Sequence, residues 1–89
     1  MAQFPLLWIE RRNYPGFRKI QGLGFDPDYE GWWEKYKRVV TELHQERAAI
    51  LPVEFDAEEF ESYCEQNGII PDSNALLRYT RLRATEYAE

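Results

Sequence analysis

The sequence has one cysteine, one histidine and one methionine in 89 residues, and each scarcity closes off a class of chemistry. With Cys64 alone no intramolecular disulfide can form, which makes the reducing cytoplasm the simplest compartment. Cys64 and His44 form an arithmetically possible thiolate and imidazole pair, but no catalytic motif surrounds either residue. Cys64 keeps company with Phe60 and Tyr63 at helical spacing, where a cysteine acts as a small hydrophobe. His44 falls at the margin of an apolar stripe. Long hydrophobic runs are also missing. The longest near the start, Phe4 to Ile9, is six residues with no basic residue ahead of it, unlike a secretory leader and far short of a membrane span. There is no Gly-rich phosphate loop, nucleophile elbow or paired zinc-ligand spacing. The expectation is a soluble cytoplasmic protein that is not an enzyme and uses neither cofactor nor metal.

What is present is aromatic and charged. Three Trp, six Tyr and five Phe give an aromatic share of 16%, more than a core of this size ordinarily uses. Either the core is unusually aromatic or some rings face a partner. The net charge of −5 is unevenly distributed. Residues 1–25 carry one acid, Glu10, against Arg11, Arg12, Arg18 and Lys19, whereas residues 26–65 carry twelve acids against four bases. Such a field repels nucleic acid and anionic membranes at long range, so binding to either would require a local patch.

The length fits a single domain over residues 1–89, divided into a basic, aromatic arm at 1–25 and a helical body at 26–89. In the arm, Tyr14-Pro15-Gly16-Phe17 has the composition of a tight turn, so residues 6–12 and 17–21 are predicted to form a β-hairpin or an irregular arm. A lone hairpin is marginal in water and would have to lay Trp8, Ile9, Phe17 or Ile20 against the helices.

Three helices follow. Asp26 and Pro27 supply a cap and a first helical residue, and Pro52 a stop, which predicts a helix over 27–51. Tyr29, Trp32, Trp33, Tyr36, Val39, Val40, Leu43 and Ile50 form its apolar stripe. A rod of roughly 36 Å exceeds the needs of so small a core, so part of the stripe is expected to serve self-association or a partner. Asp56 and Glu59 have the spacing of a capping box for a second helix over 57–67, with Phe55 stapling onto Phe60. Gly68 provides the left-handed stop, folding Ile69 back toward Cys64. Asp72 or Ser73 begins a third helix over 73–88. The predicted class is mainly α: a small three-helix domain with an irregular or hairpin N-terminal arm.

Two motifs compete with this reading. Residues 26–37, DPDYEGWWEKYK, place Asp26, Asp28, Glu30 and Gly31 like the start of an EF-hand loop, but Lys37 stands where the bidentate carboxylate belongs. The acids at 54–65 are those a helix N-terminus attracts through its macrodipole rather than a catalytic pair. Residues 60–84 outline a helix-turn-helix whose third-helix face of Asn74, Arg78, Arg81 and Thr85 has the chemistry to read base edges and phosphates. The linker is long for that motif, two arginines are few, and Glu58, Glu59 and Glu61 adjoin. Trp, Tyr and Arg are also the residues that anchor protein interfaces. The expected function is therefore a non-enzymatic protein-interaction or adaptor module. Trp8, Trp32, Trp33 and Tyr36, with Asn74, Arg78, Arg81 and Thr85, would meet a protein partner or a second copy. Nucleic-acid binding through the third helix is the alternative.

Overall fold

A computed structural model describes residues 3–87. The fold is mainly α and small, with four helices and a two-stranded parallel sheet. In chain order the elements are β1 (Gln3–Trp8), α1 (Tyr14–Arg18), α2 (Tyr29–Gln45), β2 (Ala49–Glu54), α3 (Ala57–Asn67) and α4 (Ser73–Ala84). One-turn 3₁₀ segments at Arg11–Asn13, Gln21–Leu23 and Thr85–Tyr87 complete the path.

The expected hairpin does not form. β1 pairs instead with β2 in parallel, in register from Gln3 opposite Ala49 to Trp8 opposite Glu54. Parallel strands need a long crossover, and residues 9–48, including α2, supply it. Pro15 and Gly16 lie inside the single turn of α1, which turns Tyr14 and Phe17, three residues apart, inward together. Gly16 leaves room for α3, since a Cβ there would stand 3.0 Å from that of Ala57.

Both strands contain a proline, and the ladder explains why it is tolerated. In a parallel pair alternate residues aim their backbone groups at the partner, and a proline fits only where an N–H would point away. With Pro5 opposite Leu51 and Leu6 opposite Pro52, one ladder phase turns both prolines outward. Each outer edge of the sheet therefore lacks a central donor, which blunts it against a further strand.

The residues expected as an arm build the core. Ile9, Tyr14, Phe17, Ile20 and Leu23 are buried with Val53, Phe55, Ala57, Phe60 and Cys64 from β2 to α3, and with Ala75, Tyr79 and Ala84 from α4. Two phenols fasten the crossover: Tyr29 donates to the Ile9 carbonyl at 2.7 Å, and Tyr14 to the Asp26 carbonyl at 2.7 Å. The N-terminus of α2 is thereby held at the end of β1.

The first long helix is shorter than its stripe predicts. Asp28, rather than Asp26, caps it by accepting from the Gly31 N–H at 2.9 Å. It ends at Gln45 because Arg47 adopts a φ of 60°, and residues 49–54 leave as a strand in which Pro52 is an edge residue and not a helix stop. The other two helices start as the sequence implies. Asp56 accepts from the Glu59 N–H at 2.8 Å and Asp72 from that of Ala75 at 2.9 Å. Gly68 ends α3 with a φ of 63°, and Ile69 donates to the Cys64 carbonyl at 3.0 Å. The Glu59 carboxylate does not complete the capping box; it pairs with Arg83 on α4 at 2.7 Å. α4 stops at Ala84 and, where an α-helix to Ala88 was expected, tightens into the 3₁₀ turn Thr85–Tyr87; Ala88 and the side chain of Tyr87 lie outside the described residues.

Helical spacing predicts that Leu76, Tyr79 and Leu82 share the core side of α4; the buried arc instead runs through Ala75, Tyr79, Thr80 and Ala84, and Leu82 is 49% exposed. Thr80 can be interior because its hydroxyl donates to the Leu76 carbonyl at 2.8 Å.

Candidate functional site

α2 carries two Trp, two Tyr and two Val, yet none of its residues is fully buried. A helix held by tertiary packing ordinarily buries its apolar stripe. Here the stripe is half covered, and part of the remainder forms one wall of a groove. Trp32, Tyr36 and Val39 of α2 face Leu76, Leu77 and Thr80 of α4 across it, and Phe4 to Leu7 of β1 form its base with Phe25. The cavity volume is about 360 Å³, room for two or three large apolar side chains. Phe4, Val39 and Leu77 on its rim are 42%, 38% and 42% exposed. Lys35 reaches the rim while pairing with Asp26 at 3.1 Å.

The four aromatic residues expected to meet a partner come together. Trp8 stands edge-on to Trp33 and Tyr36, ring centres 5.2 Å away in both cases, and lies 6.1 Å from Trp32. Trp33 and Tyr36 are stacked at 5.7 Å. Trp32 and Tyr36 line the groove, whereas Trp8 and Trp33 brace them from behind, with Lys37 5.9 Å above the Trp33 ring. Burial raises the Tyr36 phenol above its ordinary range, so it stays neutral and presents a mostly apolar ring.

The polar set on α4 is placed differently. Asn74, Arg78, Arg81 and Thr85 are all exposed. Asn74 and Arg78 border a second depression with Ile69 and Ile70, away from the aromatic cluster, while Thr85 donates to its own helix at the Leu82 carbonyl, 2.6 Å away. Arg81 is one helical turn beyond Leu77 and thus beside the groove. Arg38, Arg78 and Arg81 make no ion pair among the described residues.

The sequence reading did not find β1, Phe25, Leu76 and Leu77 as groove residues. A signal was there: Leu77 is a large apolar residue off the predicted core side of its helix, and Phe4 to Leu7 is an apolar run without helical spacing.

The other candidate chemistry resolves into structure. Cys64 is 2% exposed, and burial pushes its thiol up, with Asp72 and Glu61 adding to the shift; a nucleophile requires the opposite. His44 is exposed in the last turn of α2. Asp26 and Asp28, read against the EF-hand pattern, hold Lys35 and the N-terminus of α2. No helix of the described residues is long and apolar enough to cross a membrane.

Fold and groove together define a small mainly α domain, with a parallel strand pair and an apolar groove between β1, α2 and α4. Residues 4–88 match the family model described as a domain of unknown function (DUF8829), and the chain belongs to that family. Comparison with curated proteins and with solved structures finds no match.

Proposed function

We propose that this protein is a non-enzymatic interaction module that docks a protein partner in the groove between β1, α2 and α4. The observation that carries the reading is the exposure of Phe4, Val39 and Leu77 around a preformed apolar groove, backed by a helix that buries none of its aromatic residues fully. Exposed apolar patches on small soluble domains mark interaction sites more often than they occur by accident. Trp32 and Tyr36 supply rigid area that loses little entropy on binding, and Trp8 and Trp33 hold them in place.

Nucleic-acid binding through α4 is supported by the exposure of Asn74, Arg78 and Arg81. It is the second reading, because two arginines are few for a duplex and the molecule is acidic overall.

The test is an affinity capture from native cell extract, with and without nuclease, comparing the wild type with a Val39→Glu, Leu77→Glu double variant. Both sites are exposed, so the variant should keep its circular dichroism and melting temperature. The docking reading expects a defined protein that survives nuclease and is lost with the variant. Material lost with nuclease, and with Arg78→Glu and Arg81→Glu instead, supports the second reading.

A further inference from the structure

Around the groove the charge runs against the molecular average. The protein carries a net −5, yet Lys35, paired with Asp26, stands on the α2 rim with Arg38 one turn along, and Arg81 lies one turn beyond Leu77 on α4. Glu34, next to Lys35 in sequence, pairs with Lys37 at 3.0 Å, and Glu42 lies one turn beyond Arg38. The carboxylates of Glu58, Glu61 and Glu65, by contrast, are exposed on α3. Given the docking role proposed above for the groove, we infer that its occupant is an acidic amphipathic helix of another protein, which buries two or three apolar side chains against Trp32, Tyr36, Val39 and Leu77 and sets its carboxylates against Lys35, Arg38 and Arg81.

Three features select this occupant. An extended segment adding to β1 would meet Pro5, which offers no donor at the middle of that edge, so β-augmentation loses a central hydrogen bond. A helix needs no backbone pairing and presents side chains every third or fourth residue, which suits an apolar groove with charged rims. A second copy is disfavoured on electrostatic grounds. Two-fold contact through the groove would bring Lys35, Arg38 and Arg81 of both copies together, while α3, the acidic helix, presents Glu58, Glu61, Ser62, Glu65 and Gln66 outward and no apolar residue to fill the space. The exposed carboxylates of α3 repel such a partner from that side of the molecule.

The experiment uses the full chain and two fluorescein-labelled designed peptides of about four helical turns. Both carry leucines at i, i+4, i+7 and i+11; one has glutamate at the flanking positions and its twin has lysine. Fluorescence anisotropy at low salt should show the acidic peptide binding about tenfold or more tightly than the twin, with the gap narrowing as salt is raised. Val39→Glu with Leu77→Glu should abolish binding. Arg38→Glu with Arg81→Glu, both exposed and outside any ion pair among the described residues, should erase or invert the preference. Equal or tighter binding of the lysine twin overturns the inference while leaving a docking groove in place. Absence of saturable binding of either peptide up to about 1 mM overturns it, and if the captured partner is also indifferent to the groove variant, the docking reading falls as well. Sedimentation that finds a dimer lost with Leu77→Glu overturns it in favour of a second copy. Displacement of the acidic peptide by single-stranded RNA overturns it in favour of nucleic acid.

Discussion

Arg47 and Gly68 hold the same backbone conformation, with φ of 60° and 63°, at corresponding places beyond the ends of α2 and α3. The hydrogen bonds correspond too. Beyond α2, Arg47 donates to the His44 carbonyl at 3.0 Å and Ala48 to that of Leu43 at 2.9 Å; beyond α3, Gly68 donates to Glu65 at 3.3 Å and Ile69 to Cys64 at 3.0 Å. Both are Schellman terminations, one on the residue type that suits it and one on a residue that pays a steric penalty there.

The asymmetry predicts opposite responses at the two sites. Arg47→Gly should raise stability by about 0.5–1 kcal/mol, because the strain of a left-handed L-residue exceeds the entropy a glycine adds to the unfolded chain. Gly68→Ala should lower it by about 1–2 kcal/mol. Urea unfolding midpoints at constant slope are the measurement; a destabilising Arg47→Gly would mean that the Arg47 side chain, and not its backbone, matters.

Gly22 lies against the Pro71 carbonyl so closely that an added Cβ would overlap the oxygen, with the Pro71 carbonyl carbon and Asp72 Cα each 3.3 Å away. These are backbone atoms and cannot swing aside. Gly22→Ala should therefore cost about 1–3 kcal/mol and shift the amide resonances of Pro71's neighbours as well as its own. An unchanged melting temperature would show that the two loops separate freely.

Tyr14, Tyr29 and Tyr36 are all raised above the ordinary phenol value of 10.0, and Cys64 above the ordinary thiol value of 9.0, by burial first in each case. Raised folded values mean that the native state holds these protons more tightly than the unfolded chain does. The stability they contribute is complete below about pH 9 and is lost as the pH climbs through the folded values. Unfolding free energy should be flat with respect to these groups from neutrality to that point and fall beyond it. Tyr14→Phe should soften the alkaline fall and, by leaving the Asp26 carbonyl without its donor, cost about 1 kcal/mol at neutral pH.

Arg83 joins α3 to α4. Its guanidinium donates to Glu59 at 2.7 Å and to the Tyr79 hydroxyl at 3.1 Å, contacts Glu86 at 3.3 Å, and lies over the rings of Phe55 and Tyr79. Its side chain is 24% exposed and that of Glu59 is 46%, so solvent screens the pair. A double-mutant cycle of Arg83→Met and Glu59→Gln should return a coupling of about 1 kcal/mol or less, shrinking with salt. Arg83→Met alone should cost more than the coupling, because the Tyr79 hydroxyl also loses its partner. A coupling that does not respond to salt would show a more shielded pair than the exposures describe.

Where a backbone rule is written in residue types, the sequence was readable. Asp56, Gly68 and Asp72 mark the limits of α3 and the start of α4, since a short acceptor side chain and a Cβ-free residue are what those ends require. The end of α2 was not readable, because Arg47 carries no sign of a left-handed conformation and Pro52 reads equally as a helix stop or an edge-strand residue. The candidate site was legible in part. The aromatic residues Trp8, Trp32, Trp33 and Tyr36 do gather, but half of them brace the groove and half line it.

The sequence by itself determined the mainly α class, the caps of α3 and α4, the aromatic surplus and the segregation of charge, all of which depend on neighbours a few residues apart. The parallel pairing of β1 with β2, the burial of Ile9, Tyr14 and Phe17, and the groove's third wall were decided only by the tertiary structure. The reason is chain separation. β1 and β2 are joined through some forty residues of crossover, and nothing in Phe4 to Leu7 or in Ala49 to Glu54 specifies the other; their pairing depends on a crossover in which Tyr29 ties the start of α2 to the end of β1 and Tyr14 ties α1 to the Asp26 carbonyl.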